Sequence, residues 1–250
     1  MPGRIEDYAV IGNCETIALV GREGSIDWLC LPRFDSDACL SALLGSPEHG
    51  RWLIGPANGA TSVTRGYRGD TLILETRFEN DRGAVTVTDF MSRRDGCADL
   101  VRLVRGLRGQ VDMQMELVVR FDYGSVTPWV TREEDGRLQL VAGPDRLLLD
   151  ASVACEGEHY RTVADFSVDA GEEVSFVLTW SPSYRSEPKP IDIITTLGEV
   201  QTSWSEWSTA FDRSGRWADS VLRSLLTLKA LAHWETGGIV AAGTTSLPER

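Results

Sequence analysis

Val111-Asp112-Met113-Gln114-Met115-Glu116-Leu117-Val118-Val119-Arg120-Phe121 is the stretch whose period decides the fold class. Every odd position is apolar, and every even position but Val118 is polar. Successive side chains of a strand point to opposite faces, so this pattern predicts a long strand with one face in a core. Shorter runs of the same kind lie on both sides, at residues 71–78, 84–90, 100–107, 137–141 and 174–180. Turn-forming clusters separate them, such as Asn80-Asp81-Arg82-Gly83 and Glu134-Asp135-Gly136. About a dozen strands at this spacing predict a mainly β protein, a large antiparallel sandwich.

The period changes near residue 190. Ile194, Leu197, Val200, Trp204, Trp207 and Phe211 step by three or four, which is one face of a helix. Asp212-Arg213-Ser214-Gly215 interrupts the pattern, and Trp217, Val221, Leu225, Leu228 and Leu231 or Ala232 form a second stripe that Gly237-Gly238 ends. The Pro- and Ser-rich residues 181–190 read as a connector. The division expected is a sandwich over residues 1–190, a linker helix over 191–213 and a further helical unit over 214–250. A short helix is also predicted over residues 37–44, capped by Asp37 or Ser36 and stopped by Gly45. Two helices with one apolar stripe each do not make a domain, so they must pack on each other and on the sandwich.

Composition narrows the function. The 250 residues are 42% hydrophobic and 25% charged, and no run is long enough to span a membrane. A net charge of -12 argues against nucleic acid and anionic membranes as partners. The five cysteines, Cys14, Cys30, Cys39, Cys97 and Cys155, are odd in number and lack metal-ligand spacing. They read as free thiols of a reducing compartment, and with no apolar leader over residues 1–9 the cytoplasm is the expected location. Phosphate-loop, zinc-hydrolase, nucleophile-elbow and calcium-loop motifs are missing. His49, His159 and His233 stand apart, so neither a metal nor a cofactor is expected.

Carboxylates are plentiful, and glycosidic hydrolysis needs only a well-placed pair. Asp27, Asp35, Asp37 and Asp89 interrupt apolar surroundings, and turn or cap duty is the expectation for each. Among the eight tryptophans, Trp204, Trp207 and Trp217 fall on helical stripes and are assigned to the core. Residues 8–45 are the most informative segment. After a predicted strand over residues 26–31 comes Pro32-Arg33-Phe34-Asp35-Ser36, a polar rim beside an aromatic face. Sugars bind such surfaces by stacking and by hydroxyl hydrogen bonds. An Arg33–Asp35 surface pair with Phe34 in the core is the simpler reading of the same residues. Trp28, Arg33, Phe34 and Asp35 are the candidate substrate-binding residues.

Seven segments in order complete the reading: GSIDWLCLPRFDS (24–36), DTLILETRF (70–78), VTDFM (87–91), LVVRFDYG (117–124), LTWSPS (178–183), SLLTLKAL (224–231) and GGIVAAGTTSLPE (237–249). Together they resemble the bacterial trehalase and glucoamylase-like branch of glycoside hydrolase family 15. The resemblance implies an N-terminal β-supersandwich, a linker helix and the first helix of an (α/α)6 barrel. It also implies inverting hydrolysis of an α-glucoside such as trehalose or a maltooligosaccharide. In that picture the catalytic pair and a sugar clamp lie beyond Glu249, no catalytic residue is carried here, and the missing barrel is the principal partner. Homo-oligomers are compatible with it. Two rival roles stand as alternatives to it: a free-standing carbohydrate-binding module and a structural interaction domain. The chain departs from the family at Gly243, where Pro is usual, and at Asn13, where Asp is more frequent; both are expected to be turn residues.

Overall fold

The computed structural model describes residues 3–247; the end of the last motif, residues 248–250, lies outside the described residues. Its organising element is one strand, β9 (Cys97–Val118), 22 residues long. In chain order the strands before it are β1 (Ala9–Gly12), β2 (Ile17–Val20), β3 (Ser25–Cys30), β4 (Ala38–Leu40), β5 (Arg51–Pro56), β6 (Ser62–Tyr67), β7 (Leu74–Glu79) and β8 (Gly83–Arg94). After it come β10 (Trp129–Arg132), β11 (Leu138–Ala142), β12 (Asp145–Ala151), β13 (Glu156–Glu158), β14 (Arg161–Asp169) and β15 (Glu173–Pro182). The first half of β9 pairs with β8 and β15, and its second half pairs with β5 and β14. One strand therefore belongs to both layers, and all fifteen strands join one antiparallel sheet.

The predicted strands at 100–107 and 111–121 are thus a single strand. Gly106 and Gly109 explain why the chain crosses layers without breaking. A Cβ at Gly106 would lie 2.0 Å from the Asp169 carbonyl oxygen, and one at Gly109 2.0 Å from that of Arg82. Gly109 also has φ +62°, which glycine adopts at little cost.

The two halves of β9 differ in burial for a physical reason. Residues 111–117 alternate, as their sequence does. Residues 98–104 are buried on both faces, because Leu197 of helix α1 (Ile193–Ser208) covers Val101, Phe90, Val177 and Ile73 from outside. The inner faces of both layers share one core, including Trp52, Ile54, Leu74, Val87, Met113 and Phe176. Asp89 and Arg102 sit opposite each other in this core, both buried. Arg102 Nε donates to Asp89 Oδ1 at 2.8 Å, and its two terminal nitrogens donate to the carbonyls of Trp52 and Gly24 at 2.6 Å each. One guanidinium thus ties β8 and β9 to the opposite layer. Asp27 is likewise inside β3, accepting from the Tyr8 hydroxyl at 2.6 Å. Neither Asp27 nor Asp89 has the turn or cap duty expected of it.

Helix α2 (Ala218–Ala230) packs on the sandwich through Leu222, Leu226 and Ala230, one position away from the stripe expected in the sequence. Val221 and Leu228 are exposed, and Trp217 is 65% exposed rather than in the core. Trp204 is buried and Trp207 half-buried, as expected. The helix stops before Trp234 because the next backbone N–H groups find other acceptors: His233 donates to Gly238 at 2.7 Å and Trp234 to Cys14 at 2.9 Å. The short helix expected over 37–44 is instead β4 followed by a 3-10 turn, Ala42–Leu44. β4 pairs with β3, and its Ala38 and Cys39 carbonyls accept from Tyr123 and Arg120, which satisfies the backbone in extended form.

Candidate functional site

The strand β3 is buried along its whole length. It ends in the bend that carries the sequence candidates. Phe34 N donates to the Glu15 carbonyl at 2.9 Å and Ser36 N to that of Arg33 at 3.1 Å, which turns the chain back at once. The bend sorts its side chains by polarity. Phe34 goes inward, against a cluster that includes Cys14, Ile17, Trp28 and Cys30. Arg33 and Asp35 go outward and form a fork of two 2.9 Å hydrogen bonds. The Arg33 hydrogen bonds hold the Asp35 carboxyl below the usual carboxylate range. Asp35 is therefore ionised at neutral pH and serves as an acceptor rather than an acid.

Asp35 also borders a cleft of about 450 Å³ shared with Asp37, Asp122, Asp145 and Ser36. Its lining is rich in acceptors, the chemistry that hydroxyl-bearing ligands use. Among the described residues, no group of three or more His, Cys, Asp or Glu is placed to hold a metal ion.

Trp28 presents no open face. It is fully buried, its ring centre lies 6.3 Å from that of Tyr123, and its Nε1 donates to the Gly243 carbonyl at 3.0 Å. Two further contacts secure the same late segment: the Tyr123 hydroxyl donates to the Ser246 carbonyl at 3.0 Å, and Cys30 Sγ lies 3.4 Å from Ser246 Oγ. Burial pushes the Cys30 thiol up to about 11, so it stays protonated and is no nucleophile at neutral pH. Asp122 and Tyr123 have φ of 50° and 52°, a backbone form that bulky residues avoid, held here to deliver the tyrosine. Trp234 closes the other flank. Its Nε1 donates to Glu15 at 2.6 Å, and the Arg93 guanidinium lies 3.8 Å over its ring.

The structure therefore brings Trp28 and Phe34 together in the floor and Arg33 with Asp35 on the rim. Tyr123, Ser246, Glu15 and Trp234 complete the arrangement and were not singled out in sequence. For Tyr123, Ser246 and Trp234 the one signal is membership of the seven ordered segments or proximity to them; for Glu15 it is its place within residues 8–45. The two departures are turn residues. Asn13 Oδ1 accepts from Glu15 N and Thr16 N at 3.0 Å each, while its Nδ2 donates to the Ser92 carbonyl at 3.2 Å, a bond that a carboxylate does not make.

Gly243 rests on Ile17, whose Cδ1 would be 2.1 Å from an added Cβ. Gly243→Ala is expected to cost about 1–3 kcal/mol by overpacking. In an Ile17→Ala background the same methyl fills vacated space and costs nearly nothing. Additive penalties in that double-mutant cycle by denaturant unfolding would show that the two do not touch.

Residues 1–180 match the family described as "Trehalase-like, N-terminal". The chain belongs to that family. The trehalase of Mycolicibacterium smegmatis is 31% identical over 98% of this chain, and the trehalase of Thermoplasma volcanium is 25% identical over the same share. In both cases the match spans 40% of the relative, so this trehalase-like domain corresponds to less than half of either protein. The fold is shared with a bacterial glucoamylase solved in complex with acarbose, with a TM-score of 0.64 at 12% identity, covering 92% of this chain and 42% of that one. That likeness confirms a mainly β sandwich followed by helices. No helix among the described residues of the trehalase-like domain is long and apolar enough to cross a membrane.

Proposed function

We propose that this chain is the non-catalytic β-sandwich part of an inverting α-glucosidase of trehalase or glucoamylase type. Its task is to brace a helical catalytic barrel supplied by the rest of the same polypeptide and to shape the approach to it. The observation that carries this reading is the pinning of residues 243–246 onto β3 by Trp28 and Tyr123. That contact holds the late segment beside the Arg33–Asp35 fork and the acceptor-lined cleft. The exposed Trp217 at the N-cap of α2, with Val221 and Leu228 of the helix itself, supplies an apolar ridge for further helices to cover.

In this reading Trp28 and Phe34 position the bend from behind, and Arg33 and Asp35 meet either the barrel or the sugar. Inversion needs two carboxyl groups about 6.5–9.5 Å apart, with water between them. We place that pair in the barrel. The five free thiols suit a reducing compartment, which favours the cytoplasm.

The test is glucose release from trehalose and maltooligosaccharides. The 250-residue chain is expected to release none, and a chain extended to the length of its relatives to release glucose. Release by the short chain overturns the assignment. Within the extended protein, Arg33→Ala is expected to lower turnover or the melting temperature; unchanged kinetics together with unchanged melting would remove Arg33 from the site. In the short chain the same substitution removes only an exposed pair, worth at most about 1 kcal/mol.

A further inference from the structure

A second cleft opens between the two layers, on the side formed by β10, β11 and the β13–β14 hairpin. It has a volume of about 350 Å³. Its floor is apolar and buried, with Leu117 from one layer and Leu138 and Leu140 from the other. Its rim carries two of the most exposed aromatic rings in the protein, Trp129 at 78% and Tyr160 at 83%. Polar groups of mixed sign stand beside them: Glu158, His159 and Arg161.

The hairpin that presents Tyr160 is unusual in a telling way. Glu158 pairs with Arg161, so His159 and Tyr160 form a two-residue turn, with φ of 48° and 62°. Such a turn favours Asn and Gly at these positions. A left-handed backbone costs an ordinary side chain about 1–2 kcal/mol per residue. The Tyr160 ring is mostly exposed while its backbone is strained; what the residue gives the fold is its carbonyl, which accepts from Arg120 Nη1 at 3.1 Å and does not need the ring. Strain of that kind persists at ligand sites.

We propose that this cleft binds a short α-linked glucose oligomer, with Trp129 and Tyr160 stacking on sugar rings. Three observations select the ligand. Exposed amphipathic rings over an apolar floor match the C–H faces of a sugar, whose hydroxyls the polar rim engages. The mixed charge of the rim fits a neutral ligand: the two terminal nitrogens of Arg161 are occupied by Glu116 at 2.8 Å and by Glu48, its buried Nε has no partner, and His159 Nδ1 lies 3.5 Å from Glu158. The bordering edge strands β10 and β13 have four and three residues, too short a ladder to recruit a peptide strand. The choice of α-linked glucose rests on the function proposed above; the stacking site itself rests on the cleft.

Maltoheptaose added to the 250-residue chain is expected to change tryptophan fluorescence with a millimolar dissociation constant. Trp129→Ala and Tyr160→Gly should each weaken binding at least about tenfold, and Trp129→Tyr should restore most of it. Tyr160→Gly relieves the left-handed turn, so its melting temperature should hold or rise while binding falls, an outcome that a purely structural tyrosine would not give. No binding by the wild-type chain at about 10 mM, or affinity unaltered in both variants, overturns the proposal. Equal binding of cellohexaose overturns the α-linked assignment. No catalysis is read in this experiment, so its failure leaves the glucose-release test standing, and the reverse also holds.

Discussion

Arg102→Met is expected to destabilise the protein by about 3–5 kcal/mol, with a fall in melting temperature of roughly 6–20 °C for a chain of this size. The side chain is fully buried and opposes Asp89 across the β8–β9 pair. Methionine replaces much of its volume but none of its donors. Asp89 then loses its partner inside the core, and the carbonyls of Trp52 and Gly24 lose a donor from the facing layer. A buried carboxylate without a cation is far costlier than the pair is worth, because the desolvation of both ions offsets most of their attraction. The double variant Arg102→Met with Asp89→Leu should therefore recover a large part of the loss. Denaturant unfolding of the single and double variants checks this. A double variant as unstable as the single one would mean that the two hydrogen bonds to the opposite layer, and not the orphaned charge, set the cost.

Trp28→Ala is expected to cost a similar amount, about 3–5 kcal/mol, by leaving a cavity in the cluster beneath the bend. The more informative change is Trp28→Phe. It keeps an aromatic ring against Phe34 and Tyr123 and removes the Nε1 donor to Gly243 together with the pyrrole edge of the buried indole. Its expected cost is about 1–2 kcal/mol, and its expected signature is local. Hydrogen exchange over residues 239–247 should speed up while the strands of the sandwich keep their protection. Exchange unchanged in that segment would show that Trp28 does not anchor it, and the proposed link between β3 and the helical side would fall with it.

The alternation at 111–121 could be read because a half-buried strand writes its burial into every second residue. The run expected to alternate over 100–107 is instead buried without a break over 98–104, since a helix almost a hundred residues later covers its outer face. The joining of the two runs into β9 depends on close backbone approaches at Gly106 and Gly109, and a sequence shows the glycines without the neighbours. The helical stripe of α2 was legible as a stripe. Which ridge faces the sandwich was not, because Val221 and Leu228 are as apolar as Leu222 and Leu226. Asp37 to Leu44 carry a plausible cap and stop, yet the acceptors at β3 and the donors at 120–123 outweigh local preference.

The same division runs through the site. Local order along the chain announced the bend after β3, the Arg33–Asp35 pair and the inward Phe34, because a two-residue spacing and a proline act over a few bonds. It announced strands before residue 190 and helices after it, because periodicity is a local property. The partnership of Trp28 with Gly243, of Tyr123 with Ser246 and of Arg102 with Trp52 and Gly24 spans 215, 123, 50 and 78 positions. Such contacts form only when packing of the layers brings distant backbone carbonyls within reach of a donor, and no spacing rule along a single chain encodes that geometry.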